Sequence, residues 1–426
     1  MRIFLDVIGC RLNQSEAEAY ANHFRAFGHQ IVSDPGEADI AIVNTCTVTV
    51  KAAADSRKQL RRASREGAPV VIATGCWATL EPEAAQNLPG VTRVFLNQQK
   101  DQLVADILNK SPEEIASLTL VRQPIPGERG RTRAFIKAQE GCDNRCTYCL
   151  TRFARGPARS VKMSEIHRDI QAAIDGGAME IVLSGVQLGA WGRDIPEELG
   201  LKDLIASVLE KLPIQRVRLS SIEPWEFDLS MLALWQDRRF CRHLHIPLQS
   251  GSDQVLRRMG RPITIGAYQR LIEKVRKAIP GVAVTTDVIV GFPGENEHDI
   301  ESTMQLVEKL GFAGGHVFTY SPRPGTAAYA MDGRVPNKVA KARNAGLRMV
   351  FDQTSKAFRH QLINQQVEVL WESSQPDGEG MWRLSGLTDT YVRVFASANT
   401  NLWNKVVSVK LVAHHSEKAA LIGTMA

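Results

Sequence analysis

The 426-residue sequence predicts an α/β chain in three parts: an N-terminal parallel-sheet domain, a central partial (β/α)6 barrel and a small C-terminal all-β barrel. Three observations carry this expectation. Strand-like apolar runs alternate with helical periodicity through most of the chain, which is the pattern of parallel sheets. One polar stretch with clustered prolines and glycines interrupts the alternation. Beyond Gln366 the pattern changes to short β runs between polar turns. The corresponding divisions are 1–110, a linker at 111–132, 133–360 and 364–426.

In the first part, strands are predicted at Arg2–Ile8, Ile40–Asn44, Val70–Thr74 and Thr92–Phe95, with helices at Gln14–Phe27 and Val50–Glu66. Cys10, Cys46 and Cys76 each follow one of the first three strands. The carboxyl ends of parallel strands share one rim, where ligands bind, so these three cysteines are expected to converge. In the second part six strands are predicted: Ala134–Ala138, Glu180–Ser184, Arg216–Ser220, Arg242–Pro247, Thr285–Val290 and Gly315–Tyr320. Helices Met163–Asp175, Leu201–Lys211, Asp253–Met259 and Thr264–Ala278 lie between them, and active groups belong at the strand C-termini. In the third part VEVLWE, MWRLSGLTDTYVRVFA and LWNKVVSVKLVA supply the β runs.

Hydrophobic content of 44% and charged content of 23% are those of a globular protein with a sizeable core. A net charge of +6 suits a polyanionic partner. No apolar run is long enough to span a membrane, so no membrane association is expected. MRIFLDVIGC lacks the features of a signal peptide, so the expected location is the cytoplasm. Seven cysteines, an odd number, argue against a disulfide framework. Cys241 reads as core packing.

The segment AFIKAQEGCDNRCTYCL places Cys142, Cys146 and Cys149 as C-x3-C-x2-C directly after the first barrel strand. Soft thiolates at this spacing select an iron–sulfur cluster or zinc. Zinc normally wants a fourth Cys or His nearby, and the nearest histidine, His167, falls in a predicted helix. The motif, including Tyr148 before its last cysteine, closely resembles the signature of radical S-adenosylmethionine (SAM) enzymes. That resemblance implies a [4Fe–4S] cluster whose open iron binds SAM. It also implies SAM contacts from Gly176, Gly177 and Glu180 in DGGAMEIVLSG and from Asp287 and Gly291 in DVIVGFPGE. Glu223 and Arg258 are further candidates for that role.

VIGCRLNQSEAE, VNTCTVT and ATGCWA resemble the three cysteine motifs of the methylthiotransferase family, with Asn13, Glu16, Asn44 and Thr45 matching as well. The resemblance implies that Cys10, Cys46 and Cys76 hold a second [4Fe–4S] cluster. GLTDTYVRVF resembles the core of the TRAM module, a β barrel associated with RNA, and implies substrate contacts from Tyr391 and Arg393. Five basic residues within Ser56–Glu66 form a further candidate RNA-facing surface.

YCLTRFARGPARSVKM looks most like the subgroup acting on N6-threonylcarbamoyladenosine at position 37, in the anticodon loop of tRNA. AQEGC and the TRF after the last cysteine are small departures from its usual pattern. A threonylcarbamoyl group carries a carboxylate, which Arg155 or Arg159 is expected to pair. Arg323, in SPRPGTAA, is expected near the substrate or between the clusters. The resemblance further implies an electron donor such as flavodoxin or ferredoxin, and a monomer suffices for the chemistry. Three other readings stay open: methylthiolation of isopentenyladenosine 37, of a ribosomal-protein aspartate, or a non-catalytic iron–sulfur RNA-binding protein.

Overall fold

The computed structural model describes residues 1–425 except 117, 119, 124 and 126–131. In the first domain, β1 (Arg2–Val7), β2 (Gln30–Val32), β3 (Ile40–Thr45), β4 (Val70–Gly75) and β5 (Val91–Phe95) form one sheet in the order β2-β1-β3-β4-β5. Every pairing is parallel. β3 and β4 are buried along nearly their whole length, as strands covered on both faces must be. One face packs on Tyr20, Ala21 and Phe24 of α1 (Arg11–Ala26), the other on Ala53, Leu60 and Ala63 of α2 (Val50–Arg65). In this strand order the direction of winding reverses between β1 and β3, which opens a crevice at their carboxyl ends.

The barrel strands are β6 (Arg133–Glu140), β8 (Glu180–Gly185), β9 (Arg216–Leu219), β10 (His243–His245), β11 (Ala283–Val290) and β12 (Gly314–Thr319). β6-β8-β9 and β10-β11-β12 pair in parallel. Single bridges at Val217–Phe240 and Ser221–His245 join the two groups. No described pairing links β12 back to β6, so the barrel is partial. A short antiparallel strand, β7 (Arg159–Ser160), returns along β6. The helix Asn337–Gln361 closes over β12; a Cβ at Gly315 would sit 2.2 Å from the Phe351 ring, so only glycine admits this approach.

The last domain is a closed barrel, β13 (Gln366–Pro376), β14 (Trp382–Thr388), β15 (Arg393–Ala398), β17 (Leu421–Met425) and β16 (Val406–His414) in spatial order, resembling a TRAM domain. Val369, Trp371, Leu384 and Val409 fill it. Of the predicted linker, the described part includes a short helix, Pro112–Ala116; much of the rest lies outside the described residues. The helices Glu297–Leu310 and Asn337–Gln361 and the short strands β2 and β7 were not among the predicted elements.

Candidate active site at the junction of two cysteine sets

Cys10 caps α1, Cys46 follows β3, and Cys76 opens α3 (Cys76–Leu80) directly after β4. The three therefore leave the carboxyl rim beside the β1/β3 crevice. Gly9, at φ 104°, passes so close that a Cβ there would lie 2.6 Å from the Cys46 sulfur. Asn13 Nδ2 donates to the carbonyls of Ile8 (2.8 Å) and Thr45 (3.1 Å), tying the first two cysteine loops together. The Thr45 hydroxyl donates to the Thr74 carbonyl (2.5 Å) and accepts from Ala78 N–H (3.1 Å), tying the second loop to the third. Burial pushes the Cys46 thiol up to about 11.

Cys142, Cys146 and Cys149 follow β6 in a half-buried loop. Gly141, at φ 70°, starts it, and a Cβ there would strike the Pro157 carbonyl at 1.7 Å. Cys142 N–H donates to Gly156 O (3.1 Å), Asp143 N–H to Gln187 Oε1 (2.7 Å) and Thr147 N–H to Met259 O (2.9 Å). Tyr148 packs edge-on against Phe292 at 6.3 Å. Burial pushes the Cys142 thiol up to about 12; Cys146 rises to about 11 although the Arg261 cation opposes it. Loading such thiols with metal must release their protons.

Two cavities join these sets. One of about 230 Å³ is lined by Cys76, Tyr148, Cys149, Asp287 and Arg323. The other, about 680 Å³, runs through the barrel from Cys10, Cys46 and Cys76 to Asp287 and Tyr391. Cys76 and Asp287 border both. Asp287 accepts from His245 Nε2 (3.1 Å) and His316 Nδ1 (3.0 Å), which hold its carboxyl well below the usual range against the opposing effect of burial.

The structure distributes the other predicted residues unevenly. Asp287 and Gly291 sit on or just after β11 at the rim. Arg323 is buried there, with Thr47 beside Cys46 as its hydrogen-bond partner. Glu223 accepts from Arg261 (2.8 Å), a buried guanidinium stacked 4.6 Å over Trp225. Arg258 instead donates to the carbonyls of Pro293 (2.9 Å) and Asp332 (3.2 Å) and serves as a loop tie.

Other expectations need correction. Gly176, Gly177 and Glu180 lie where β8 begins, at the end opposite the cysteine rim. Gly176 backs onto the Arg122 carbonyl, and Glu180 is a fully buried partner of Arg218 (2.8 Å). The loop that leaves β8 toward the rim carries Gln187, which holds Asp143 and donates to Glu226 (2.5 Å). A glycine pair before a strand marks the strand's start, whereas ligand loops follow its end.

Arg155 borders the larger cavity, but its guanidinium is already committed to protein partners. It is buried between Glu16 (2.8 Å), Glu140 (2.8 Å) and Asn13 Oδ1 (2.5 Å). Arg159 is an exposed partner of Asp101 (3.0 Å) and Glu140 (3.3 Å). Tyr391 is no exposed stacking platform; it enters the base of the central barrel, stacked on His243 at 4.7 Å. Burial raises its phenol, but the Arg11, Arg133 and Arg218 cations bring it below its ordinary value. Arg393 is paired with Glu372 (2.6 Å), which also accepts from Arg133 (2.7 Å). Cys241 is buried, as expected of a core residue.

Comparisons with known proteins match both halves of this site. Residues 136–307 match the radical SAM superfamily, and residues 2–97 match a group described as uncharacterized protein family UPF0004. A threonylcarbamoyladenosine tRNA methylthiotransferase MtaB of Bacillus subtilis is 34% identical over 95% of this chain and 92% of its own. Its Thermotoga maritima counterpart is 38% identical over 91% and 90%. A tRNA-2-methylthio-N(6)-dimethylallyladenosine synthase of Clostridium tetani is 30% identical over 96% and 93%. Among solved structures, the radical SAM methyltransferase TsrM of Kitasatospora setae shares the fold at TM-score 0.55, with 16% identity over 77% of each chain. With relatives of this similarity along nearly its whole length, and with Cys149 of one cysteine set and Cys76 of the other lining one cavity, the chain belongs to the radical SAM methylthiotransferase family.

Proposed function

We propose that the chain methylthiolates C2 of N6-threonylcarbamoyladenosine 37 in the anticodon loop of tRNA, giving the 2-methylthio derivative. The observation that carries this reading is Cys76, which borders both the cavity containing Cys149 and the cavity containing Cys10 and Cys46. A reaction that joins radical formation to sulfur delivery needs two such centres side by side. The names of the relatives from Bacillus subtilis and Thermotoga maritima support the substrate.

On this reading Cys142, Cys146 and Cys149 hold one [4Fe–4S] cluster and Cys10, Cys46 and Cys76 a second. The donor chemistry fits, since both sets are soft thiolates. Gly9 and Gly141 bring backbone against the cysteine loops where a side chain has no room. Once bound, the clusters and SAM supply the radical and sulfur chemistry that no side chain here offers. The protein's own residues position and exclude. Gln187 and Met259 fix the barrel loop, Asn13 and Thr45 fix the N-terminal loops, and Tyr148 with Phe292 seals one wall. Asp287, kept ionised by two histidines, offers an acceptor where the two cavities meet.

The proposed domains are 1–110, 133–360 and 364–426, the last gripping the RNA backbone. A monomeric cytoplasmic enzyme drawing electrons from a flavodoxin or ferredoxin completes the reading. Mass spectrometry of tRNA nucleosides with and without the gene tests it. Loss of the 2-methylthio product with accumulation of its unthiolated parent is expected. Loss of the dimethylallyl (isopentenyl) analogue instead would overturn the substrate assignment.

A further inference from the structure

The threonylcarbamoyl group differs from a dimethylallyl group by carrying a carboxylate. With Arg155 and Arg159 committed to protein carboxylates, the reading falls to another cation. The 680 Å³ cavity supplies two. Among its lining residues Asp287 is the one acid, and both its oxygens are engaged by histidines. Arg155 is neutralised by Glu16 and Glu140. Arg11 and Arg359 are not: among the described residues no carboxylate lies within ion-pairing distance of either.

Arg11 directly follows Cys10 in the chain. It donates to the Tyr391 hydroxyl (3.0 Å), and its guanidinium lies 5.6 Å from the Tyr391 ring and 5.9 Å from that of Phe135. A guanidinium anchored by one hydrogen bond beside two rings keeps further N–H groups for a carboxylate, whose two oxygens suit its planar fork. Arg359 reaches the same cavity from the last turn of the helix Asn337–Gln361, and its buried Nε has no hydrogen-bond partner among the described residues. A buried donor left unpaired is costly and gains from an anion that arrives with the substrate.

We propose that Arg11, assisted by Arg359, binds the carboxylate of the threonylcarbamoyl group and so selects the substrate class. This rests on the function proposed above. The pair works by exclusion too, because an apolar dimethylallyl group would strip water from both cations without replacing it.

The test uses iron-loaded full-length enzyme and two anticodon stem-loops. One carries threonylcarbamoyladenosine 37, and the other has its threonyl carboxylate converted to a carboxamide. Wild-type kcat/KM should favour the carboxylate on the order of 10- to 100-fold, the usual worth of a charge-assisted contact. Arg11→Gln should erase most of that preference, Arg359→Gln should reduce it, and Arg11→Lys should retain part of it. Iron content verifies loading; if Arg11→Gln fails to load, the Arg11→Lys and Arg359→Gln enzymes decide by the same ratio. A wild-type preference that survives in the loaded variants overturns the proposal, as does wild-type indifference to the carboxamide. Failure of the wild type to methylthiolate either RNA would sink the functional reading beneath it.

Discussion

Glu16 and Arg155 stand 139 residues apart in sequence and 2.8 Å apart in space, both with almost no exposed side chain. Glu16 also accepts from Lys100 and from Asn44 Nδ2 (2.9 Å), and Arg155 also reaches Glu140 and Asn13. This network joins the N-terminal sheet to the barrel directly behind the cysteine rim. Breaking one partner of a buried ion pair leaves the other charge stranded. Arg155→Ala should therefore lower unfolding free energy by about 3–5 kcal/mol, read by urea denaturation, with a like-sized loss for Glu16→Ala.

The two cysteine sets should be separable in function. Cys142→Ala, Cys146→Ala or Cys149→Ala should abolish cleavage of SAM to 5′-deoxyadenosine. Cys10→Ala, Cys46→Ala or Cys76→Ala should spare that cleavage and abolish methylthiolation. Quantifying 5′-deoxyadenosine beside modified nucleoside checks both halves; methylthiolation by a folded N-terminal variant would refute the division of roles.

Gly9 and Gly141 should be as sensitive as the cysteines they adjoin. Each has a positive φ and no space for a Cβ. Gly9→Ala should lose the iron held at the N-terminal cysteines and keep that at the barrel loop, while Gly141→Ala should do the reverse. Iron analysis combined with single-set cysteine variants distinguishes the two patterns.

Acid should destabilise the fold through Glu180. Burial alone would raise the Glu180 carboxyl, but the Arg218, Arg216 and Arg133 cations outweigh it and bring it down to about 2 from its ordinary 4.5. Because the folded value lies below the unfolded one, this stabilisation is fully present above about pH 4.5 and fades as pH falls toward 2. Denaturation midpoints measured at pH 5 and pH 3 should fall more steeply for wild type than for Glu180→Gln, which is less stable at neutral pH but lacks the titrating group.

Much of this was legible in the sequence because local spacing encoded it. Hydrophobic alternation located the parallel strands, and cysteines just beyond strand ends were bound to share a rim. What escaped were relationships between distant residues. Nothing local marks Arg155 as the partner of Glu16, or Tyr391 as an insert in another domain. Both look like available surface groups until the fold surrounds them. The glycine pair before β8 misled for a different reason: its composition matched a ligand loop, but it lies at the wrong end of the strand. Gln187 was readable by that same rule, being just past the strand's exit.

The C-terminal barrel is fastened to the central domain at several points. Arg216 and Arg218 donate to the carbonyls of Leu387, Thr388 and Asp389, Arg242 pairs with the Asp389 side chain, and Tyr391 fills a socket in the next domain. On the proposed function that fastening makes the protein a ruler: an RNA gripped by the outer barrel would be measured from a fixed origin, and the nucleotide reaching the cysteines would be chosen by its distance along the stem as well as by its chemistry.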